Sequence, residues 1–327
     1  MSGSLPDMFA YRLDGIGGGT QITPEDAAAP GPNPEVPGFV WLHLRRDGAE
    51  TTGILGQSGL DAFVVEALTA DETRPRCTVH EKGVLVNLRG VNLNPGAEPE
   101  DMVSVRLWIE ERRVVGIWVR PLRAVSDLRE SIKRGQSPIS PGDLVAKLAL
   151  RLADRAEPSV AALNERIDEL EELVLDPDVD IPRASLSYVR RSSIVLRRYI
   201  MPQRDALTTL EIEDLPWLTS KERGHIREAA DRVNRLGEEL DAIRDRAQVV
   251  HDQIMDQRAE RMNRRMLLLA IISAIFLPLG LFTGLLGINV GGMPGVDSPW
   301  AFYVVCGAMV AFGAILYLCL RALGMFR

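Results

Sequence analysis

Four carboxylates recur at intervals of seven, Asp231, Glu238, Asp245 and Asp252, and Asp256 lies one helical turn past the last of them. A seven-residue step on an α-helix returns to nearly the same face, so the spacing predicts an acidic stripe. Repeated around an axis, such a stripe raises the local cation concentration by focusing the field. On a lone helix the same spacing describes a solvated face, and Arg235, Arg244 and Arg246 would dilute its charge. His251 adjoins Asp252, which makes it the best candidate among the four histidines for a transient zinc contact. The other three, His43, His80 and His225, are scattered as surface or hydrogen-bonded histidines are. Further on, Gly287-Ile288-Asn289 closes a long apolar run and leads into Val290-Gly291-Gly292-Met293-Pro294-Gly295. A ring of Asn289 amide oxygens with nearby backbone carbonyls could hold or replace the water shell of a divalent ion, weakly enough to release it. An asparagine that ends a helix before glycine has the same spacing.

Other chemistry is missing. The sequence has no HExxH, no CxxC and no complete phosphate-binding loop. Gly15-Ile16-Gly17-Gly18-Gly19 is half of such a loop without its lysine and reads as a flexible connection. No catalytic constellation is evident, so the chain reads as a non-enzyme that needs no cofactor. A formal net charge of −7 argues against a nucleic-acid partner, which requires clustered Lys and Arg. The three cysteines, Cys77, Cys306 and Cys319, are odd in number and scattered, which fits a reducing compartment around the soluble part. The first ten residues lack the basic-then-apolar order of a secretory leader.

The elements that would carry these residues divide the 327-residue chain into segments. Residues 1–140 read as a cytoplasmic α/β domain. Its β-prone runs are Met8–Leu13, Phe39–Leu44, Cys77–Glu81, Val84–Leu88, Val103–Ile109 and Val114–Val119, with a turn at Lys82-Gly83. Helical spacing occurs at Gly59–Thr69 and Val125–Lys133, while Gly15–Gly38 reads as a long loop. Residues 141–218 form an antiparallel helical region. It has an apolar stripe at Val160, Leu163, Ile167, Leu170 and Val174 and a second helix from about Arg183 to Ile200. Thr219 with Glu222 predicts a capping box that opens a stalk helix over 219–265. Its seam is set by Ile226, Val233, Leu240, Ala247 and Ile254 with Ala229, Leu236, Ile243 and Val250. No proline interrupts the stretch from Leu218 to Leu277, so helix can run unbroken to about Leu286.

Residues 266–290 and 300–320 carry no charge. A helix of about 20 apolar residues spans the hydrocarbon core, so these read as two transmembrane helices joined by an outer loop, 291–299. Arg258, Arg261, Arg264 and Arg265 precede the first span, Arg321 and Arg327 follow the second, and the loop between has only Asp297. Positive charge stays inside, which makes both termini and the tail 321–327 cytoplasmic. Two helices cannot enclose a polar path, so transport requires a cyclic oligomer. Extending the acidic stripe by sevens leads to a pore-lining face of Asn263, Met266, Leu269, Ser273, Leu277, Gly280 and Gly284. With no nucleotide loop, the drive is an ion gradient or the membrane potential, worth about 2.3 kcal/mol per charge per 100 mV.

Gly287-Ile288-Asn289 at the end of the first of two C-terminal spans resembles the Gly-Met-Asn signature of CorA-type metal-ion transporters. With the following Val-Gly-Gly-Met-Pro-Gly it is similar to the ZntB zinc-transporter branch. The resemblance extends over nearly the whole chain. It implies an α+β cytoplasmic domain, a long helical stalk and two C-terminal spans, assembled as a homopentamer with a cytoplasmic funnel in the cell inner membrane. It also implies Zn²⁺ as transported ion with proton-coupled uptake, and Gly287, Ile288 and Asn289 as the selectivity mouth. Ile288 stands where the signature has methionine, which favours the zinc branch over a Mg²⁺ channel. A Mg²⁺, Co²⁺ or Ni²⁺ channel of the same family, a membrane-anchored sensor and a tethered enzyme are the competing readings.

Overall fold

The computed structural model describes residues 7–29, 37–71, 74–176, 182–287, 295 and 298–322. Seven strands form one sheet: β1 (Met8–Leu13), β2 (Gly19–Ile22), β3 (Phe39–Arg45), β4 (Arg76–His80), β5 (Gly83–Gly90), β6 (Val103–Glu110) and β7 (Arg113–Trp118). Their order is β2-β1-β3-β7-β6-β5-β4, and only the β3–β7 pair is parallel. The helices are α1 (Pro24–Ala28), α2 (Thr51–Gln57), α3 (Ala62–Thr69), α4 (Arg123–Lys133), α5 (Pro141–Val174), α6 (Arg183–Ile212), α7 (Ser220–Leu286) and α8 (Ala301–Ala322).

Alternation along the central strands explains why they read as continuous apolar runs. Ala10, Val40, Leu42, Leu44, Val115 and Ile117 point to one face, where Ile54, Leu55, Val64 and Leu68 of α2 and α3 close a core. Phe9, Trp41 and His43 point to the other, where Arg129 of α4 lies over the Phe9 ring at 4.6 Å. A sheet covered on both faces has no solvent side to keep polar.

Three local expectations are corrected. The segment Gly15–Gly38 is not loop throughout: it holds β2 and the short helix α1, capped by Thr23, whose hydroxyl accepts from Asp26 N at 3.1 Å. The turn between β4 and β5 is Glu81-Lys82, with Gly83 already paired to His80. Helix α6 does not stop at Ile200 but continues through Pro202 to Ile212. There Gln203 Oε1 accepts from Arg89 N of β5 at 2.6 Å, a tie to the sheet that offsets the hydrogen bond proline removes.

The chain separates into two compact units, residues 1–250 and 251–327. The first contains the sheet, α1 to α6 and the first part of α7. The second contains the rest of α7 and α8.

Candidate ion pathway

Helix α7 begins as its sequence requires. Glu222 Oε2 accepts from Thr219 N at 2.7 Å, and Thr219 Oγ1 accepts from Glu222 N at 3.3 Å, the reciprocal bonds of a capping box. In the first unit Ile226, Ala229, Val233, Leu236, Leu240, Ile243, Ala247 and Val250 are all buried. The carboxylates of the stripe in this unit, Asp231, Glu238 and Asp245, are all exposed.

Arginines decide how much negative charge that stripe keeps. Arg246 turns away to α5: its Nε donates to Glu171 Oε1 at 2.8 Å, its Nη1 to Asn164 Oδ1 at 3.0 Å, and it also pairs with Asp168. These hydrogen bonds hold the Glu171 carboxyl below the usual range and raise the Arg246 guanidinium above its own. Arg232 reaches Asp154 on α5 at 2.6 Å and Glu228 at 2.8 Å. Arg244 does oppose the stripe, donating to Asp245 Oδ1 at 2.8 Å. Glu238 accepts from the Asn234 amide at 2.8 Å, a neutral donor that leaves its charge in place. Arg246 therefore does not weaken the stripe, and Arg244 does.

In the second unit, His251, Asp252, Asp256 and Asn263 are exposed. His251 and Asp252 are consecutive helix residues, so their side chains point about 100° apart. Met266, Leu269, Ser273, Leu277, Gly280 and Gly284 are exposed along one side of the span. On the side about 180° around from Ser273, Phe282 packs edge-on against Phe312 of α8, with ring centroids 5.6 Å apart. Ile271, about 160° from Ser273, is the one buried residue of α7 between 266 and 287. The second helix thus stands behind the span and leaves the Ser273–Gly280 side uncovered. Pro278 and Thr283 are not among the expected lining residues, yet both shape the span. Pro278 lacks the N–H that would bond the Ala274 carbonyl, and a proline inside an apolar run is the visible signal. The Thr283 hydroxyl lies 3.1 Å from Leu279 O and 3.0 Å from Gly280 O, which satisfies it within its own helix.

Gly287 follows the last residue of α7, its N–H donating to Thr283 O at 2.9 Å. Ile288 and Asn289 lie outside the described residues. α7 and α8 are both long and apolar enough to cross a membrane. Trp300 and Tyr303, with rings 6.0 Å apart, are exposed at the start of α8.

Compared with known proteins, the chain matches the family model of the CorA-like Mg²⁺ transporter protein over residues 37–321. The chain belongs to the CorA-like family. It is 41% identical to the divalent cation transporter CmaX of Pseudomonas aeruginosa over 302 residues, covering 91% of this chain and 90% of the relative. It is 35% identical to the zinc transport protein ZntB of Pectobacterium atrosepticum, covering 93% and 91%. Among solved structures, full-length CmaX matches with a TM-score of 0.83 at 39% identity, over 98% of this chain and 100% of that one. The CorA magnesium transporter of Methanocaldococcus jannaschii matches with a TM-score of 0.82 over 98% of each chain at 16% identity, which speaks for the CorA-like fold alone.

Proposed function

We propose that this chain is one subunit of a homopentameric divalent-cation transporter that moves Zn²⁺ through a central pore lined by the first span. The observation that carries the reading is the sidedness of α7. The side that carries Ser273, Gly280 and Gly284, set among Met266, Leu269 and Leu277, is turned away from α8, while Phe282 and Ile271 face the opposite way. A lipid-anchoring helix gains nothing from such a division. A helix that meets its own copies around an axis needs small residues there, because they let backbones approach and leave room for water.

Along that axis Met266, Leu269 and Leu277 would form apolar constrictions that gate by dewetting. Asn289 with Gly287 and Ile288 would form the outer mouth, and Asp231, Glu238, Asp245, Asp252 and Asp256 would draw cations towards the cytoplasmic side. His251 and Asp252 could share a passing ion only across neighbouring subunits, because on one helix they diverge. The flanking arginines favour cytoplasmic termini in the cell inner membrane. Neither apolar span carries an ionisable carboxylate, so proton coupling would have to act outside the hydrocarbon core. Zinc is favoured over magnesium by the relatives named as zinc transport proteins. The family model's own description supports a Mg²⁺ channel as the second reading.

Purified protein in vesicles that hold a zinc-sensitive dye tests both. Zn²⁺ influx that exceeds Mg²⁺, Co²⁺ and Ni²⁺ influx, and that falls at least tenfold in Asn289→Ala, is the expected result. Equal leakage from empty and loaded vesicles would leave the hairpin a mere anchor.

A further inference from the structure

We propose that Asp61, His80 and Glu81 form a separate binding site for a divalent transition metal of the Zn²⁺ class, at the tip of the edge hairpin of the sheet. The three come from different local structures. Asp61 is the N-cap of α3, His80 ends β4, and Glu81 opens the two-residue turn into β5. One ligand atom from each lies within 4.8 Å of the other two, and this is the one such His, Cys, Asp or Glu cluster among the described residues. The site is empty.

Three features point to an ion rather than to a polar surface. His80 Nε2 is itself shielded from solvent and makes no hydrogen bond. Its nearest carboxylate oxygen, Asp61 Oδ1, is 3.8 Å away. That is too long for a hydrogen bond and close to the roughly 3.4 Å edge of a tetrahedron built on metal bonds of about 2.0–2.1 Å. The imidazole is also held in place without a metal. The Phe63 ring lies 4.8 Å from it and the Trp108 ring 6.3 Å, so little side-chain freedom remains to be lost on binding. Finally, Glu81 is the one described non-glycine residue with positive φ, at 48°. Glycine or asparagine suits that backbone better, so a glutamate there sacrifices stability to keep a carboxylate beside His80.

One imidazole and two carboxylates select zinc, cobalt or nickel over magnesium, and solvent supplies the remaining positions because Asp61 and Glu81 are exposed. Asp61 Oδ1 already accepts from Phe63 N at 2.7 Å, which fixes the carboxylate by its helix cap.

The test is an equilibrium titration of the full-length protein in detergent with ZnCl₂, CoCl₂ and MgCl₂, followed by calorimetry and by the visible spectrum of bound cobalt. No flux is measured, so failure here and failure of the transport reading are seen separately. Asp61→Asn keeps the helix cap, and Glu81→Gly relieves the strained backbone. Both variants should fold at least as well as the parent without metal. Each should lose one zinc per chain, or bind it roughly tenfold or more weakly. His80→Gln should abolish the tetrahedral cobalt absorption. Zinc stoichiometry and cobalt spectrum unchanged in all three variants would overturn the proposal. So would magnesium displacing the bound zinc at equal concentration.

Discussion

His43 lies within the sheet, its ring 5.0 Å from Phe9 and 5.6 Å from Trp41, and Gly116 leaves room for it on the adjacent strand. Burial, with the Arg129 charge nearby, pushes its pKa down from 6.5 to about 3. The folded protein keeps this imidazole neutral, while the unfolded chain takes up a proton near pH 6.5. The stability it allows is therefore complete above that pH and is lost as acid is added, until about pH 3. Each pH unit below about 6.5 should cost on the order of 1.4 kcal/mol from this group alone. Denaturant melts between pH 5 and 6.5, where few carboxylates titrate, should show that slope, and His43→Leu should flatten it. Cys77 behaves in the opposite sense: burial, with Glu213 second, raises its thiol to about 12. At pH 8 it should react with iodoacetamide far more slowly than a free thiol, measured by mass spectrometry of the soluble peptides. Neither environment was legible in the sequence. A histidine in an apolar run and a lone cysteine become informative only when the second strand and the helix over them are known.

At the scale of elements, periodicity carried furthest. The heptad seam of α7 and the stripe of α5 from Val160 to Val174 are buried at every position in the first unit, because a long amphipathic helix has enough repeats to fix its face. Short elements were harder to read. Helix α2, Thr-Thr-Gly-Ile-Leu-Gly-Gln, carries Gly53 and Gly56 and has poor intrinsic propensity, so burial of Ile54 and Leu55 holds it. Strand β2 is an edge strand with no buried residue, hence no alternation to detect. Two helix contacts give measurable consequences. Thr219→Ala removes the cap of α7 and should lower stability by about 1 kcal/mol. Arg246→Ala releases Glu171, Asp168 and Asn164 together. These partners are half-exposed, so the loss should be only about 1 kcal/mol. Because the pair depresses Glu171, that contribution is present above the usual carboxylate range and should vanish as pH falls through the folded value. Thermal melts of both variants at neutral and acid pH separate the two: the cap effect persists in acid and the ion-pair effect does not.

For the whole molecule, the apolar spans pose the question that the single chain leaves open. Among the described residues, α8 buries none and the span of α7 buries only Ile271. Lipid can cover Val310 or Ile315, whereas Ser273, Gly280 and Gly284, set among Leu269 and Leu277, offer another helix a close approach. The two spans were legible in sequence because charge-free runs of that length have few other uses. A lining face for the first one was expected from extending the acidic stripe by sevens, and Phe282, which meets α8, lies on the opposite side. If copies of this chain meet around the Ser273 side, Ser273→Cys, in a background with Cys306 and Cys319 replaced by serine, should form disulfide-linked dimers readily under mild oxidation in membranes. Val310→Cys, on the outer helix, should not. Native mass measurement in lipid discs should give a single species of five chains for both. Gly280→Leu should keep that mass while cutting flux at least tenfold, since the added side chain fills the axis and leaves the α8 contact at Phe282 and Phe312 intact. Dimers from Val310→Cys with none from Ser273→Cys would turn the helix around and remove the pore from this side.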